Sequence, residues 1–170
     1  IALPLYPFDR KPYWIDDVVS VNAASSYYDA TAVATGESFR EEYLPLAPFA
    51  RVEPGFSWTR AFFAPEKDPR AHALMLEAQR ELRKVLFRDV DFSRIRRVVD
   101  MGCGLGTDLI VLAQRHAHLE CVGYTISSEQ ARIATARARD AGDGDRVTIH
   151  HADSSATPFP GAFDLIFGVE

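Results

Sequence analysis

The chain is poor in cysteine and in positive charge, and each shortage excludes a class of protein. Its 170 residues include two cysteines, Cys103 and Cys121, which are too few for a disulfide framework and show no metal-type spacing. Acidic residues outnumber lysine and arginine by 24 to 19, so we expect no nucleic-acid partner. Arg132, Arg137 and Arg139 lie on one predicted helix, where we interpret them as a solvated face.

The sequence also lacks an apolar run long enough to cross a bilayer, and it lacks a secretory signal pattern. We therefore expect no membrane partner, and the low cysteine content favours a reduced, cytoplasmic setting. The spacing of histidines and carboxylates predicts no metal site. With 47% hydrophobic and 25% charged residues, the chain is long enough for one globular domain with a sizeable core.

Glycine is sparse at 10 residues, yet Gly102, Gly104 and Gly106 fall within five positions. They lie between a predicted buried strand and a predicted helix, and a turn of glycines lets a ligand approach the backbone. The helix directs unpaired N–H groups and partial positive charge at the turn, which suits an anionic group. The spacing departs from the dinucleotide pattern Gly-x-Gly-x-x-Gly, and no P-loop pattern is present. Asp100, just before the turn, would repel a phosphate and attract a cationic ligand.

Residues 98–107, VVDMGCGLGT, resemble the hhhDhGxGxG first motif of class I S-adenosylmethionine-dependent methyltransferases. S-adenosylmethionine combines a nucleoside, a positive sulfonium centre and an amino-acid tail, which suits a glycine turn beside an acidic residue. The resemblance implies S-adenosylmethionine as cofactor, with contacts from Asp100, Gly102, Cys103, Gly104 and Gly106. The alternative is a glycine-rich turn that only packs a helix onto a sheet.

The second predicted strand carries Thr125 near its end, where dinucleotide folds place an acidic residue that holds the ribose. The segment resembles the Gly-x-Thr-x-Ser-x-x-Gln variant of the tocopherol, sarcosine and cyclopropane-fatty-acid methyltransferases. That resemblance implies nucleoside contacts from Thr125, Ile126 and Gln130. A purely structural alternative is a capping box, in which Ser127 and Gln130 satisfy N–H groups at a helix start.

The third predicted strand is followed by Asp153 and Ser154, at a place where the family usually has an acidic residue that accepts from the adenine amino group. Asp153 and Ser154 are the predicted cofactor contacts, and an Asx turn is the structural alternative for Asp153. Phe159, in a Pro-Phe pair before the fourth strand, is predicted to line the site. Asp164 is expected to order the turn before that strand.

Helical and strand patterns alternate along the second half of the chain. An Asp68 cap opens the first predicted helix, and Leu74, Ala78, Leu82 and Val85 follow at helical spacing. The predicted helices cover 69–87, 107–117 and 127–141, with Gly142 as the stop of the last one. The predicted strands cover 97–101, 120–126, 146–151 and 163–169. The pattern predicts an α/β fold with a doubly wound parallel sheet and a ligand at the carboxyl ends of the strands. The family resemblance implies that this sheet is a Rossmann-like class I methyltransferase core, which ends after its fourth strand in this sequence.

The N-terminal segment suggests a larger enzyme. Residues 3–14, LPLYPFDRKPYW, resemble the linker that closes the acyltransferase domain of modular polyketide synthases, so residues 1–16 are interpreted as that linker. Residues 17–95 are predicted to form a mostly helical N-terminal lid, and residues 96–170 the first half of the S-adenosylmethionine-binding core. Tyr27 and Tyr28 resemble a lid element of related enzymes and are predicted ligand contacts, with aromatic core packing as the alternative.

These resemblances imply a methyltransferase domain of a polyketide synthase. We expect O-methylation of a β-hydroxy or enol oxygen on an intermediate bound to an acyl carrier protein, with acyltransferase and ketoreductase-type domains as neighbours. C-methylation at the α-carbon of a β-ketoacyl intermediate is one alternative, and a non-catalytic scaffold domain is another. The five histidines are expected in structural or surface roles, so the catalytic base is unknown and is expected after Glu170.

Overall fold

The computed structural model describes residues 21–35, 56–57, 60–61 and 64–169. The predicted linker at 1–16 lies outside these residues. Two short 3₁₀ helices flank the second α-helix, at Pro65–Lys67 and Phe92–Arg94. The main elements, in chain order, are α1 (Val21–Thr35), α2 (Pro69–Leu86), β1 (Arg97–Met101), α3 (Thr107–Arg115), β2 (Glu120–Thr125), α4 (Ser128–Asp140), β3 (Val147–His151) and β4 (Leu165–Phe167).

The four strands form one parallel sheet in the order β3-β2-β1-β4. Val99 in β1 is paired with Val122 in β2 and with Ile166 in β4. Helices α3 and α4 connect β1 to β2 and β2 to β3, as parallel neighbours require. The predicted parallel α/β sheet is therefore confirmed, and its strands reverse their chain order between β1 and β4, where such folds bind ligands.

The core occupies both faces of the sheet, as expected for parallel strands. Val98 and Val99 are adjacent in β1 and both are fully buried, so their side chains fill opposite faces. On the first face Val98 packs with Leu109 and Cys121. On the second face Val99 packs in a cluster with Tyr124. Because β1 and β2 are buried, their carboxyl ends are held in fixed positions, and the site is built from these ends.

Strand β4 is shorter than the predicted 163–169, and Asp164 accounts for its late start. The Asp164 carboxylate accepts hydrogen bonds from the backbone N–H groups of Arg96 and Arg97 at 2.8 and 3.0 Å. Its side chain thus replaces a strand partner and joins the start of β4 to the start of β1. Asp164 orders this turn, as predicted.

Helix α2 begins as predicted, because the Asp68 side chain accepts from the Ala71 N–H at 3.0 Å. The buried face of this helix differs from the prediction. Leu74, Ala78 and Leu82 are half-buried and Val85 is 61% exposed. The buried row lies one position further along the helix, at Ala71, Met75, Gln79 and Arg83. This rotation carries two polar side chains into the interior.

Helix α4 ends at Asp140, and Gly142 just beyond it is the predicted stop. Gly142 has a φ of +78°, in the left-handed region that favours glycine. The N–H of Asp143 donates to Ala138 at 2.8 Å and the N–H of Gly142 donates to Arg139 at 2.9 Å, which is a Schellman cap. Across the segments that the structure describes, none of the helices combines the length and the apolar character needed to cross a membrane.

Candidate cofactor site

A cavity of about 560 Å³ opens at the carboxyl ends of β1 and β2. Its size is in the range of small-molecule sites. The glycine turn after β1 and the turn after β2 each form part of its wall, and α1 and α2 contribute one side chain each. The cavity is lined by Tyr28, Arg83, Asp100, Met101, Gly102, Cys103, Gly104, Leu105, Thr107, Asp108, Tyr124, Thr125, Ile126, Gln130, Ala152, Ser154 and Val169.

The glycine turn needs its glycines for two different reasons. Gly102 and Gly104 line the cavity with φ of +102° and +52°, so they bring bare backbone to the ligand space. Gly106 lies behind the turn, where an added Cβ would come within 3.1 Å of the Ala134 Cβ on α4. Gly106 is predicted to contact the cofactor, but it does not line the cavity. The small size of Gly106 instead allows α4 to pack against the turn.

Asp100 is a buried acidic group with an unsatisfied oxygen. It is 4% exposed, and its Oδ1 accepts no hydrogen bond from any described residue. Burial and, to a smaller extent, the nearby Asp108 raise the pKa of Asp100 to about 7, against the opposing charge of Arg83. An acceptor of this kind at the wall of a cavity is suited to a cationic ligand group, because the ligand would supply the missing charge and donor.

The pair of Arg83 and Asp108 is part of the site, and sequence reasoning missed it. Arg83 Nε and Nη2 donate to the two Asp108 oxygens at 3.1 and 3.0 Å. Both side chains are at least nine-tenths buried. Burial raises the pKa of Asp108, and the guanidinium of Arg83 opposes that effect. The signal that could have revealed the pair is the row of polar residues at four-residue spacing on α2.

The turn after β2 is held together by side chains. The Thr125 hydroxyl donates to Gln130 Oε1 at 2.7 Å and accepts from the Ser127 N–H at 3.2 Å. Ser127 Oγ accepts from the Gln130 N–H at 3.1 Å, which is the expected helix cap. The reciprocal half of the capping box is not formed, because the Gln130 side chain bonds Thr125 instead of the Ser127 N–H. Thr125, Ile126 and Gln130 all line the cavity, as the cofactor prediction requires.

Of the two adjacent tyrosines that are predicted to contact the ligand from the lid, one lies at the cavity and the other does not. Tyr28 lines the cavity, whereas Tyr27 does not and is 66% exposed. Their rings make an edge contact with centroids 5.5 Å apart. Of the two, Tyr28 is the one that α1 brings to the site.

Asp153 and Phe159 lie outside the cavity lining, whereas Ser154 belongs to it. The Asp153 carboxylate accepts from the N–H and hydroxyl of Ser155 at 2.8 and 2.6 Å, which is the Asx turn weighed as its alternative. These bonds lower the pKa of Asp153. Phe159 packs against the Tyr124 ring at 5.3 Å on the second face of the sheet.

The interpretation of Arg132, Arg137 and Arg139 as a solvated face is wrong for Arg137. Its Nη1 donates to the Leu105 carbonyl at 2.9 Å and to the Thr107 hydroxyl at 3.0 Å. Helix α4 thus braces the glycine turn. Arg132 and Arg139 are exposed, as expected.

One further group in the lining, the Cys103 thiol, is chemically quiet. Burial, and after it the charge of Asp100, raises the pKa of the Cys103 thiol, so Cys103 stays protonated and is a poor nucleophile. Within the described ranges no group of three or more histidine, cysteine or acidic side chains could hold a metal ion.

Three comparisons relate this site to known proteins. Residues 98–170 match the family model of methyltransferase domains. Polyketide synthase ThaQ of Burkholderia thailandensis is 46% identical over 147 residues, which cover 86% of this chain and 7% of that protein.

Two solved structures are similar in fold and sequence. The StiE O-MT has a TM-score of 0.71 and 45% identity, covering 73% of this chain and 44% of its own. The O-methyltransferase of a trans-AT polyketide synthase multienzyme of Brevibacillus brevis, in complex with S-adenosyl-L-homocysteine, has a TM-score of 0.72 and 41% identity. That match covers 75% of this chain and 43% of the solved one. The chain therefore spans less than half the length of either solved domain.

Fold, cavity and family match define the class: residues 98–170 match the class I methyltransferase domains in sequence and fold. Within that class the chain's similarity is to the methyltransferase domains of polyketide synthases. The resemblance to methyltransferase domains of polyketide synthases is confirmed at this level, whereas the linker at 1–16 stays a prediction.

Proposed function

We propose that the cavity binds S-adenosylmethionine and that the protein methylates an oxygen of a polyketide intermediate. The observation that carries the cofactor assignment is the unsatisfied, buried Asp100 carboxylate beside the bare backbone of Gly102 and Gly104. A sulfonium nucleoside with an amino-acid tail supplies the positive charge and the slender groups that this wall accepts. The complex of the Brevibacillus brevis enzyme with S-adenosyl-L-homocysteine supports the same assignment.

The residues present fit the parts of that cofactor. Asp100 would attract its cationic portion, and the N-terminus of α3 would attract its carboxylate. Thr125 and Gln130 would hold the nucleoside hydroxyls, and Ser154 lines the same cavity. The bound cofactor supplies an electrophilic methyl group on its sulfonium centre. The protein's task is to orient that group toward the acceptor.

Oxygen is the proposed acceptor because two similar structures, at 45% and 41% identity, are O-methyltransferases of this kind. The proposed substrate is a β-hydroxy or enol intermediate on an acyl carrier protein. The proposed setting is a polyketide synthase in the cytoplasm, with acyltransferase and ketoreductase-type domains as neighbours. In this arrangement residues 1–16 are the linker, residues 17–95 the lid, and residues 96–170 part of the cofactor-binding core.

The test is to incubate the intact protein with S-adenosylmethionine and either β-hydroxyacyl or β-ketoacyl carrier protein, then to locate any added methyl by tandem mass spectrometry. The proposal predicts a methyl group on oxygen. A methyl group on the α-carbon would overturn the choice of oxygen. Cofactor binding without methyl transfer to either substrate would favour the scaffold alternative. The Gly104→Val variant controls for transfer that does not depend on the cavity.

A further inference from the structure

Helix α1 is fastened to the turn after β2 by two polar side chains from a distant part of the chain. The Asp29 carboxylate accepts from the Ser127 hydroxyl at 2.6 Å and from the Glu129 N–H at 3.0 Å. The Ser25 hydroxyl donates to the Ile126 carbonyl at 2.8 Å. These bonds join residues 98 to 101 positions apart, so they are tertiary contacts between the lid and the core.

Polar contacts matter more than apolar burial in this attachment. Among the α1 side chains that the structure describes, residues 24–33, only Ala32 is buried, and Val33 is 66% exposed. An alanine buries little apolar area. The carboxylate of Asp29, in contrast, lies at the positive N-terminus of α4, where a negative charge is stabilised. The Ser127 hydroxyl, and after it the Glu129 N–H, lower the pKa of Asp29.

The bonded turn is the same turn that forms one wall of the cavity. Ile126, whose carbonyl accepts from Ser25, lines the cavity, and Gln130 lines it one residue after Glu129. The neighbour of Asp29, Tyr28, lines the cavity from the lid side. Asp29 itself is not in the lining. It therefore lies between two parts of the site without facing the ligand space.

We infer that Asp29 is a positioning residue, which holds the turn from Thr125 to Gln130 in place and sets Tyr28 against it. The cofactor part of this inference rests on the function proposed above. A bound nucleoside would contact a turn that Asp29 has already ordered, so the cost of ordering it is met before binding. Loss of the carboxylate would weaken binding although no direct contact is lost.

The first test measures S-adenosylmethionine binding to the intact protein by calorimetry. Asp29→Ala is expected to weaken binding about tenfold, the size of effect given by one hydrogen bond to a charged group. Asp29→Asn keeps the shape of the side chain, and its affinity for S-adenosylmethionine is expected to lie between those of Asp29→Ala and the wild type. Asp91→Ala is the matched control, because Asp91 caps the short helix at 92–94 through the Ser93 N–H at 3.1 Å and is outside the cavity lining.

A double-mutant cycle separates positioning from general stability. If Asp29 places Tyr28, then Tyr28→Phe should cost clearly less affinity in the Asp29→Asn background than in the wild type. Strictly additive effects, or unchanged affinity in both Asp29 variants, would overturn the inference. The cycle uses Asp29→Asn, so it can be measured even if Asp29→Ala fails to fold.

Hydrogen exchange of the cofactor-free protein distinguishes this inference from the proposed function. Asp29→Asn should speed exchange in peptides covering 126–130 and leave peptides covering 98–101 unchanged. If the wild type binds no S-adenosylmethionine, the proposed function fails while this exchange result still decides the positioning role. Unchanged exchange at 126–130 would refute that role.

Discussion

Asp100 is expected to make folding and cofactor binding depend on pH in opposite directions. The carboxyl group is 4% exposed, and burial, with a smaller contribution from Asp108 against that of Arg83, raises its pKa to about 7. Asp100→Asn keeps the shape of the side chain and removes the titration. The variant therefore isolates the contribution of one proton.

The folding effect follows from the two pKa values. The unfolded chain loses the proton near pH 3.8 and the folded, cofactor-free protein keeps it to about pH 7. Stability should therefore fall as the pH rises between these values and stay level above pH 7. A pKa change of this size corresponds to about 4 kcal/mol. Asp100→Asn lacks this loss, so the cofactor-free variant should be more stable than the wild type at pH 8 and similar at pH 4.

The binding effect has the opposite sign, because a cationic ligand prefers the ionised carboxylate. Affinity for S-adenosylmethionine should rise with pH up to about pH 7 and then level off, and it should be about tenfold lower at pH 6 than on the plateau. Asp100→Asn should show one low affinity at every pH.

The assay is calorimetric titration from pH 6 to 8 in two buffers of different ionisation enthalpy, which counts protons released on binding, together with thermal unfolding. Asp153→Asn is the control, because the pKa of Asp153 is lowered by its bonds to Ser155 and this group does not titrate in that range. A flat wild-type affinity profile, or an Asp100→Asn variant that keeps the slope, would refute the reasoning.

Three further predictions concern stability and are checked by thermal or chemical unfolding of the intact protein. Gly123→Ala should cost about 1–3 kcal/mol, since its Cβ would lie 2.7 Å from Cys103 Sγ; an unchanged midpoint would show that the turn moves freely. Arg83→Met should cost about 3 kcal/mol or more by leaving the buried Asp108 unpaired, and a gain in stability would contradict this. Asp68→Ala should lower the free energy of unfolding by about 1 kcal/mol through loss of the α2 cap. An unchanged stability would contradict this and show that water replaces the cap fully.

The parts of the fold that could be predicted are those encoded by short segments. The alternation of strands and helices, the Asp68 cap and the Gly142 stop each depend on a few neighbouring residues. The glycine turn belongs to the same class, because the conformations of Gly102 and Gly104 are local needs of one backbone segment.

The parts that could not be predicted depend on contacts between distant segments. Arg83 and Asp108 are 25 positions apart, and no local pattern shows which face of α2 meets the start of α3. The bond from Asp29 to Ser127 spans 98 positions and likewise requires the packed fold. For Asp153 the local structure differs from the prediction. The family resemblance assigned its carboxylate to the cofactor, but a local Asx turn uses that carboxylate instead.

The central claim is that the cavity beside the glycine turn binds S-adenosylmethionine, and a pair of glycine variants tests it most directly. Gly104 and Gly142 both have left-handed φ, of +52° and +78°, so Gly104→Val and Gly142→Val impose a similar backbone strain. Gly104 lines the cavity and Gly142 does not. In calorimetric titrations with S-adenosylmethionine, we expect Gly104→Val to abolish binding and Gly142→Val to retain it. Equal affinity in the two folded variants would contradict the claim.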